Sequence, residues 1–210
     1  VDEILQDVGL GGIRFFSAGI AIFVGVGLIH NEVDRRTIFT ILSKPVSRTE
    51  FLIGKWAGLT FTVWLQLFLM GLAFALVSLL AGAPLGLGHG WAIGMVGLEL
   101  MVLVAVATFF SSFTTPMLAA SFSIGIWLIG HLSRDLQALG QQSDVDSVAS
   151  FAAFVFVVMP DLEVFNKTLE AVHGLPIEGS ELVLAVIYGA GYTIATLMLG
   201  AMIFSRRDFK

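Results

Sequence analysis

The sequence predicts an all-α fold, a polytopic bundle of membrane-spanning helices in one domain over residues 1–210. Hydrophobic residues make up 57% of the chain and charged residues only 13%. Soluble domains carry about 25% charged residues. Mean hydropathy is +0.92, and five segments approach the roughly 20 apolar residues that a spanning helix needs. We therefore expect the chain to cross a bilayer five times.

The predicted spans follow one another along the chain, separated by polar or Gly/Pro-rich connections. We place them at about residues 10–29, 56–81, 91–110, 116–132 and 182–204. Before the second span, Ser47 and Glu50 are spaced as a capping box directly after Pro45. Such a pattern predicts a helix that begins at Ser47, in water, and then enters the membrane. An N-terminal span missing from this sequence would bring the total to six.

A long connection, residues 133–181, separates the fourth and fifth spans. Its apolar run at 151–159 is too short to span a bilayer and is followed at once by Pro160. This pattern favours a re-entrant or interfacial helix. The next residues, 161–174, have the pattern of an amphipathic helix that ends at Gly174.

Orientation follows from the placement of Lys and Arg in the loops. With five spans, the loop at 30–55 and the C-terminus share one side, which carries eight of the eleven basic residues. The other side carries Arg134 and Lys167, with Arg14 near the start of the first span. The loop and the C-terminus are therefore expected to be cytoplasmic, and residues 133–181 extracytoplasmic.

The loop at 30–55 contains a patterned segment that predicts a short helix. Asn31 is a candidate N-cap, and Glu32 and Asp34 fall in the first turn, where the helix dipole favours acids. The apolar positions that share a face by i, i+3, i+4 spacing are Ile38, Ile41 and Leu42. The pattern alone allows two interpretations, an interfacial helix resting on lipid or a docking surface for a soluble partner.

Several polar or charged side chains fall within the spans or at their ends. Glu99 lies near the middle of the third span, where a carboxylate normally faces protein or water rather than lipid. It can line a translocation path, or it can pair with Arg14, with Gln66 or with a backbone group. Gln66 is expected to bond across helices. His131 and Arg134 are expected to be interfacial anchors at the outer end of the fourth span.

Motifs for other functions are missing from the sequence. It contains no Cys, no HExxH and no GxSxG, and its four His are scattered at loops and span ends. We therefore predict no catalytic residue and no metal site, and an intramembrane enzyme is disfavoured. A secondary transporter, or a membrane-assembly scaffold, stays open as an alternative, although no inverted repeat is visible.

The order of motifs resembles the membrane subunits of type-2 ABC transporters, the export-type permeases. In that family an acidic residue after a span is followed by a Thr-Ile pair, a Leu-rich turn, Pro-Val-Ser-Arg, an acidic residue and Gly-Lys. The corresponding residues are Glu32, Thr37-Ile38, Ile41-Leu42, Pro45-Val46-Ser47-Arg48, Glu50 and Gly54-Lys55. Met159–Asn166 and the tail Phe204–Phe209 are also similar to family segments. The chain departs from the family at Arg36, where Gly is frequent.

The resemblance implies that the cytoplasmic helix is a coupling helix that docks on a separate ATPase subunit. The implied docking residues are Glu32, Asp34, Arg35, Arg36, Thr37, Ile38, Phe39, Leu42, Lys44 and Pro45. Because the chain has no GxxxxGK[ST], ATP and Mg²⁺ are expected on the partner, and no cofactor on this chain. The implied partners are two ABC ATPase subunits, a second permease copy in a homodimer and the lipid bilayer of the inner membrane, with no nucleic acid.

Overall fold

The computed structural model describes residues 2–34, 48–143 and 145–205. Within these ranges the secondary structure is helical and contains no strand. The α-helices are α1 Asp2–Asp34, α2 Arg48–Leu80, α3 Leu87–Ser111, α4 Pro116–Gln141, α5 Asp146–Val158, α6 Thr168–Val172 and α7 Gly179–Ser205, with a 3₁₀ helix at Leu162–Phe165. The predicted all-α class is confirmed.

Five of the described helices are long and apolar enough to cross a membrane, as predicted. The qualifying stretches are Glu3–Gly27, Thr49–Leu80, Leu87–Ser111, Pro116–Gln141 and Gly179–Phe204. Helix α1 begins well before residue 10, and α4 continues well past residue 132. The apolar pattern marked the parts of these helices suited to lipid, whereas the hydrogen-bonded helices extend beyond them.

Helix α3 is the centre of the bundle. It packs against α1, α2, α4, α6 and α7, and its stretch from Val102 to Ala107 is buried on every face. A helix that is apolar all round is a buried one. Helix α2 differs, because it leaves Phe61, Phe68 and Leu72 exposed on its outer surface, where lipid is an equally apolar neighbour.

The turns around α3 follow local chemistry. Before α3, the backbone N–H of Gly86 donates to Nδ1 of His89 at 3.2 Å, which satisfies a group at the helix start. After α3, Pro116 occupies the first turn of α4, where its missing N–H costs no helical hydrogen bond. Only residues 112–115 separate α3 from α4, and the two helices are neighbours in the bundle.

The predicted amphipathic helix over 161–174 is wrong in detail. The chain forms the 3₁₀ helix at Leu162–Phe165 and then the short α6. The Asp161 side chain accepts from the N–H of Glu163 at 3.1 Å, and the Asn166 side chain accepts from the N–H of Thr168 at 3.3 Å. Such local bonds compete with a continuous helix. The predicted end at Gly174 is confirmed, since α6 stops at Val172 and Gly174 has a φ of +62°.

Helix α5 covers the apolar run that was expected to be re-entrant or interfacial. It is 13 residues long and leaves Phe151, Phe154 and Val157 exposed. Together with residues 162–172 it has the length and composition of a sixth membrane segment, bent by 51° between its two parts. That geometry is either a broken span or a re-entrant loop.

Candidate functional site

The predicted docking residues lie largely outside the described part of the chain. Glu32 and Asp34 belong to the last turn of α1. The others, Arg35, Arg36, Thr37, Ile38, Phe39, Leu42, Lys44 and Pro45, fall in the undescribed range 35–47. The predicted helix start at Asn31 is wrong, because the backbone there continues α1. Helix α2 is described from Arg48 onward, and Ser47 of the predicted capping box lies outside the described residues.

The best-organised polar site is a buried ion pair between α1 and α3. Nε of Arg14 donates to Oε2 of Glu99 at 2.7 Å. The Glu99 side chain is fully buried, and Arg14 is nearly so. A buried pair of opposite charges with good hydrogen-bond geometry is costly to break, because the remaining charge loses its partner. Of the pairings open to Glu99 from the sequence, the structure contains the one with Arg14.

The second carboxylate oxygen of Glu99 lies close to two side chains of α4. Nε1 of Trp127 donates to Oε1 of Glu99 at 3.2 Å. Nε2 of His131 lies 3.4 Å from the same oxygen, within ion-pair distance but without hydrogen-bond geometry. Nδ1 of His131 lies 2.8 Å from the carbonyl oxygen of Trp127, and since a carbonyl only accepts, this nitrogen carries the proton.

Two of the predictions for polar side chains are corrected by these contacts. His131 was expected to be an interfacial anchor, but its ring faces Glu99 inside the bundle. Gln66 was expected to bond across helices, yet its Nε2 contacts Sδ of Met70 in the same helix at 3.0 Å. The flexible Met70 lies one turn along α2, within reach of the amide, so Gln66 does not reach Glu99.

Arg14 also contacts the segment that follows α5. Nη2 of Arg14 donates to the carbonyl oxygen of Leu162 at 3.2 Å and lies 3.7 Å from Oε2 of Glu163. We call residues 160–172 the bridging segment. The guanidinium therefore joins three parts of the chain, α1, α3 and the bridging segment, and its planar fork suits such divided bonding.

Glycines on three helices receive the bridging segment. A Cβ added at Gly130 of α4 would lie 2.7 Å from the carbonyl oxygen of Pro160 and 2.8 Å from Cγ of Leu162. At Gly189 of α7 it would lie 3.1 Å from Cζ of Phe165, and at Gly88 of α3 it would lie 3.2 Å from Cα of Ala171. Leu162 and Phe165 are fully buried. The segment thus packs against backbone that only glycine leaves open.

Two further groups of ionic contacts hold the bridging segment. Nε of Arg134 donates to Oδ2 of Asp161 at 2.7 Å, and the N–H of Asp161 donates to the hydroxyl of Tyr188 at 2.7 Å. Nζ of Lys167 contacts Glu170 at 3.1 Å and Glu181 at 2.5 Å. The interfacial position expected for Arg134 is compatible with its half-exposed side chain, but its partner Asp161 was not foreseen.

The surroundings of Lys167 act on its pKa in opposite directions. Partial burial disfavours the charged amine, whereas hydrogen bonds to Glu181 and Glu170 and their negative charges favour it. The carboxylates prevail, and the pKa of Lys167 is raised above its usual value. The ammonium is therefore charged at any physiological pH.

Most of the partners of Glu99 and of the bridging segment were not predicted from the sequence. One signal was available, because Trp127, His131 and Arg134 are spaced i, i+4, i+7 and so share one face of α4. The contacts made by the Leu162 carbonyl and by Lys167 depend on how the bridging segment folds back, which no local pattern encodes. Within residues 2–34, 48–143 and 145–205, no three His, Asp or Glu are placed to hold a metal ion.

The fold and this site define a polytopic membrane protein whose helices are joined inside the bundle by ion pairs rather than by a catalytic constellation. The family model for ABC-2 family transporter proteins matches residues 2–209. The chain belongs to that family, and it is a membrane permease component of an ABC transporter rather than the ATPase itself. Its family implies an ABC ATPase partner. No curated protein matches the chain.

Proposed function

We propose that this permease couples ATP hydrolysis by a separate pair of ATPase subunits to export of a substrate across the inner membrane, working as a homodimer. The observation that carries the proposal is the family match over residues 2–209. The motif order in the loop after α1 agrees with it, because the resemblance to export-type permeases rests on that loop. ATP and Mg²⁺ bind the partner subunits, and this chain binds no cofactor.

The partner docks on the cytoplasmic loop that joins α1 to α2. Arg35 and Arg36 pair with acidic side chains of the ATPase, and Ile38 and Phe39 fill an apolar notch. The excess of basic residues on the side of this loop supports its cytoplasmic placement. Both helices that flank the loop are long and regular, since α1 and α2 each contain 33 residues.

Helix α1 provides the route from the docking loop to the buried ion pair. From Asp34 to Arg14 the helix is unbroken, and 20 residues at 1.5 Å each correspond to about 30 Å. A tilt imposed at the loop is therefore carried to Arg14 and through it to Glu99 and Leu162. In this role Glu99 holds helices together, and it does not line a path for the substrate.

Charge reversal in the docking loop tests the proposal. We expect Arg35→Glu together with Arg36→Glu to abolish copurification of a co-expressed ATPase partner subunit, and with it ATP-dependent transport in liposomes. Arg206→Glu together with Arg207→Glu is the matched control, since these residues have the same charge on the same side. Unchanged copurification of the loop variant would overturn the proposed docking site.

A further inference from the structure

A pocket of about 570 Å³ opens beside the bridging segment, between α4 and the start of α7. Both charged and apolar side chains line it. They are Arg134, Glu163, Val164, Asn166, Lys167, Leu169, Glu170, Glu181 and Leu184. Neither Arg14 nor Glu99 lines the pocket, although Glu163 of the lining lies 3.7 Å from Arg14. The proposed coupling to an ATPase does not use the pocket.

The lining carries both signs of charge in unequal numbers. Two cations, Arg134 and Lys167, face three carboxylates, those of Glu163, Glu170 and Glu181. The excess of one negative charge opposes a ligand that is only anionic. A ligand with both an anionic and a cationic group meets complementary charge at each of them.

Some charged side chains of the pocket already use their hydrogen-bonding groups, whereas others have groups left for a ligand. Lys167 already contacts two carboxylates. Arg134 uses only Nε, for Asp161, so that among the described residues its two terminal nitrogens have no partner. Its side chain is 53% exposed. The guanidinium fork is therefore the group that can receive a phosphate, in the paired geometry that phosphate favours.

Carboxylate oxygens are available for a cation. Glu181 uses one oxygen for Lys167, its other oxygen has no partner in the described part of the chain, and its side chain is 52% exposed. A primary ammonium can donate hydrogen bonds to such an oxygen. A quaternary ammonium has no N–H to donate and is recognised by aromatic rings, and no aromatic side chain lines the pocket.

The apolar part of the lining indicates that the ligand is a lipid. Leu169 and Leu184 are both largely exposed, and Leu184 lies on the first turns of α7, a helix apolar enough to cross the membrane. Charged groups and exposed leucines thus meet where a spanning helix begins, which is the depth of phospholipid headgroups.

We propose that this pocket binds a phospholipid whose headgroup carries a phosphate and a primary ammonium. The phosphate contacts the free nitrogens of Arg134, the ammonium contacts Glu181, and the acyl chains lie along Leu184 and the exposed face of α7. The bridging segment forms one wall of the site, so an occupied pocket also stabilises that segment.

Lipid retention measures the site directly. The full chain is placed in nanodiscs made of equal parts phosphatidylethanolamine, phosphatidylcholine and phosphatidylglycerol, and the lipids that remain bound are quantified by native mass spectrometry after release from the disc. We expect phosphatidylethanolamine to be enriched. Arg134→Gln and Glu181→Gln should each reduce this enrichment roughly tenfold, the loss expected for a charge-assisted hydrogen bond. Asp135→Asn, an exposed carboxylate next to Arg134, should leave it unchanged.

Three outcomes would overturn the proposal. Equal retention of the three lipids would show that the headgroup is not selected, and equal loss in Asp135→Asn would show that the effect is not local to the pocket. Displacement by soluble glycerophosphoethanolamine at the same concentration as the lipid would show that acyl chains contribute nothing. Arg134→Lys keeps the positive charge but not the guanidinium. If this variant unfolds at the same temperature as the unmodified chain and loses the enrichment, the result would support a contact between the phosphate and the guanidinium itself. No step needs the ATPase, so these results are independent of the docking test.

Discussion

Around the bridging segment and as far as the middle of α3, charged side chains join α1, α3, α4 and α7. At the turn between α3 and α4 the contacts are aromatic instead. There Phe110 packs against Phe109, Phe113 and Phe122, with ring centroids 5.0 to 5.9 Å apart. Ion pairs need particular atoms at particular distances, while aromatic rings tolerate several tilted arrangements. The difference indicates that the ionic region is fixed and that the aromatic region is adaptable.

Of the changes that test this comparison, breaking the buried ion pair is expected to have the largest effect on stability. Glu99→Gln removes the nearest counter-charge of Arg14 and leaves only the more distant carboxylate of Glu163, 3.7 Å away. The expected loss is about 3–5 kcal/mol in the free energy of unfolding. The measurement is denaturant unfolding in detergent micelles. The double variant Arg14→Met with Glu99→Leu removes both charges and should recover most of that loss. A double variant as unstable as the single one would contradict the ion-pair account.

Adding a methyl group at Gly130, where the bridging segment packs against α4, should have the next largest effect on stability. Gly130→Ala places a methyl group against the carbonyl oxygen of Pro160 and the side chain of Leu162, and such overpacking costs about 1–3 kcal/mol. Gly125→Ala is the matched control, because a Cβ there has no neighbour within 4 Å. Thermal unfolding of the two variants should differ clearly. Equal unfolding temperatures for the two variants would show that the bridging segment does not pack against Gly130 of α4.

Removing an aromatic ring at the turn between α3 and α4 should lower the free energy of unfolding less than Glu99→Gln or Gly130→Ala does. Phe110→Leu keeps most of the apolar volume and loses the ring–ring contacts, which are worth about 0.5–1.5 kcal/mol per pair. We expect a loss near the low end, because the remaining rings can rearrange. If Phe110→Leu lowered the free energy of unfolding as much as Glu99→Gln in the same detergent, the distinction between the ionic and the aromatic region would be removed.

The smallest effect on stability is expected for the half-exposed pair of Arg134 and Asp161. Arg134→Gln should lower the free energy of unfolding by about 0–1 kcal/mol, because solvent screens such pairs. The same variant is expected to lose most of its selective lipid retention. A large loss of stability would instead mean that Arg134 is chiefly structural, which circular dichroism melting curves would reveal.

The fold was accessible from the sequence because each spanning helix carries its own apolar signal. The pairing of Glu99 with Arg14 was among the expected possibilities, since a charge at membrane depth needs a partner. His131 was misplaced because span-end histidines suit an interface equally well, and its direction depends on the rotation of α4. Asp161 and Lys167 were missed because their partners are set by the folding of the bridging segment, which is fixed by tertiary contacts with the three glycines.

The order of the ion-pair partners along the chain has a consequence for membrane insertion. A carboxylate at the bilayer centre costs about 2.5–3.5 kcal/mol in a helix that enters alone. Because α1 precedes α3, Arg14 is already in the membrane when Glu99 arrives, and the acid can be neutralised as soon as its helix is delivered. Trp127 and His131 follow one helix later. The biosynthetic order thus introduces the counter-ion first, so that Glu99 does not have to enter the lipid unpaired.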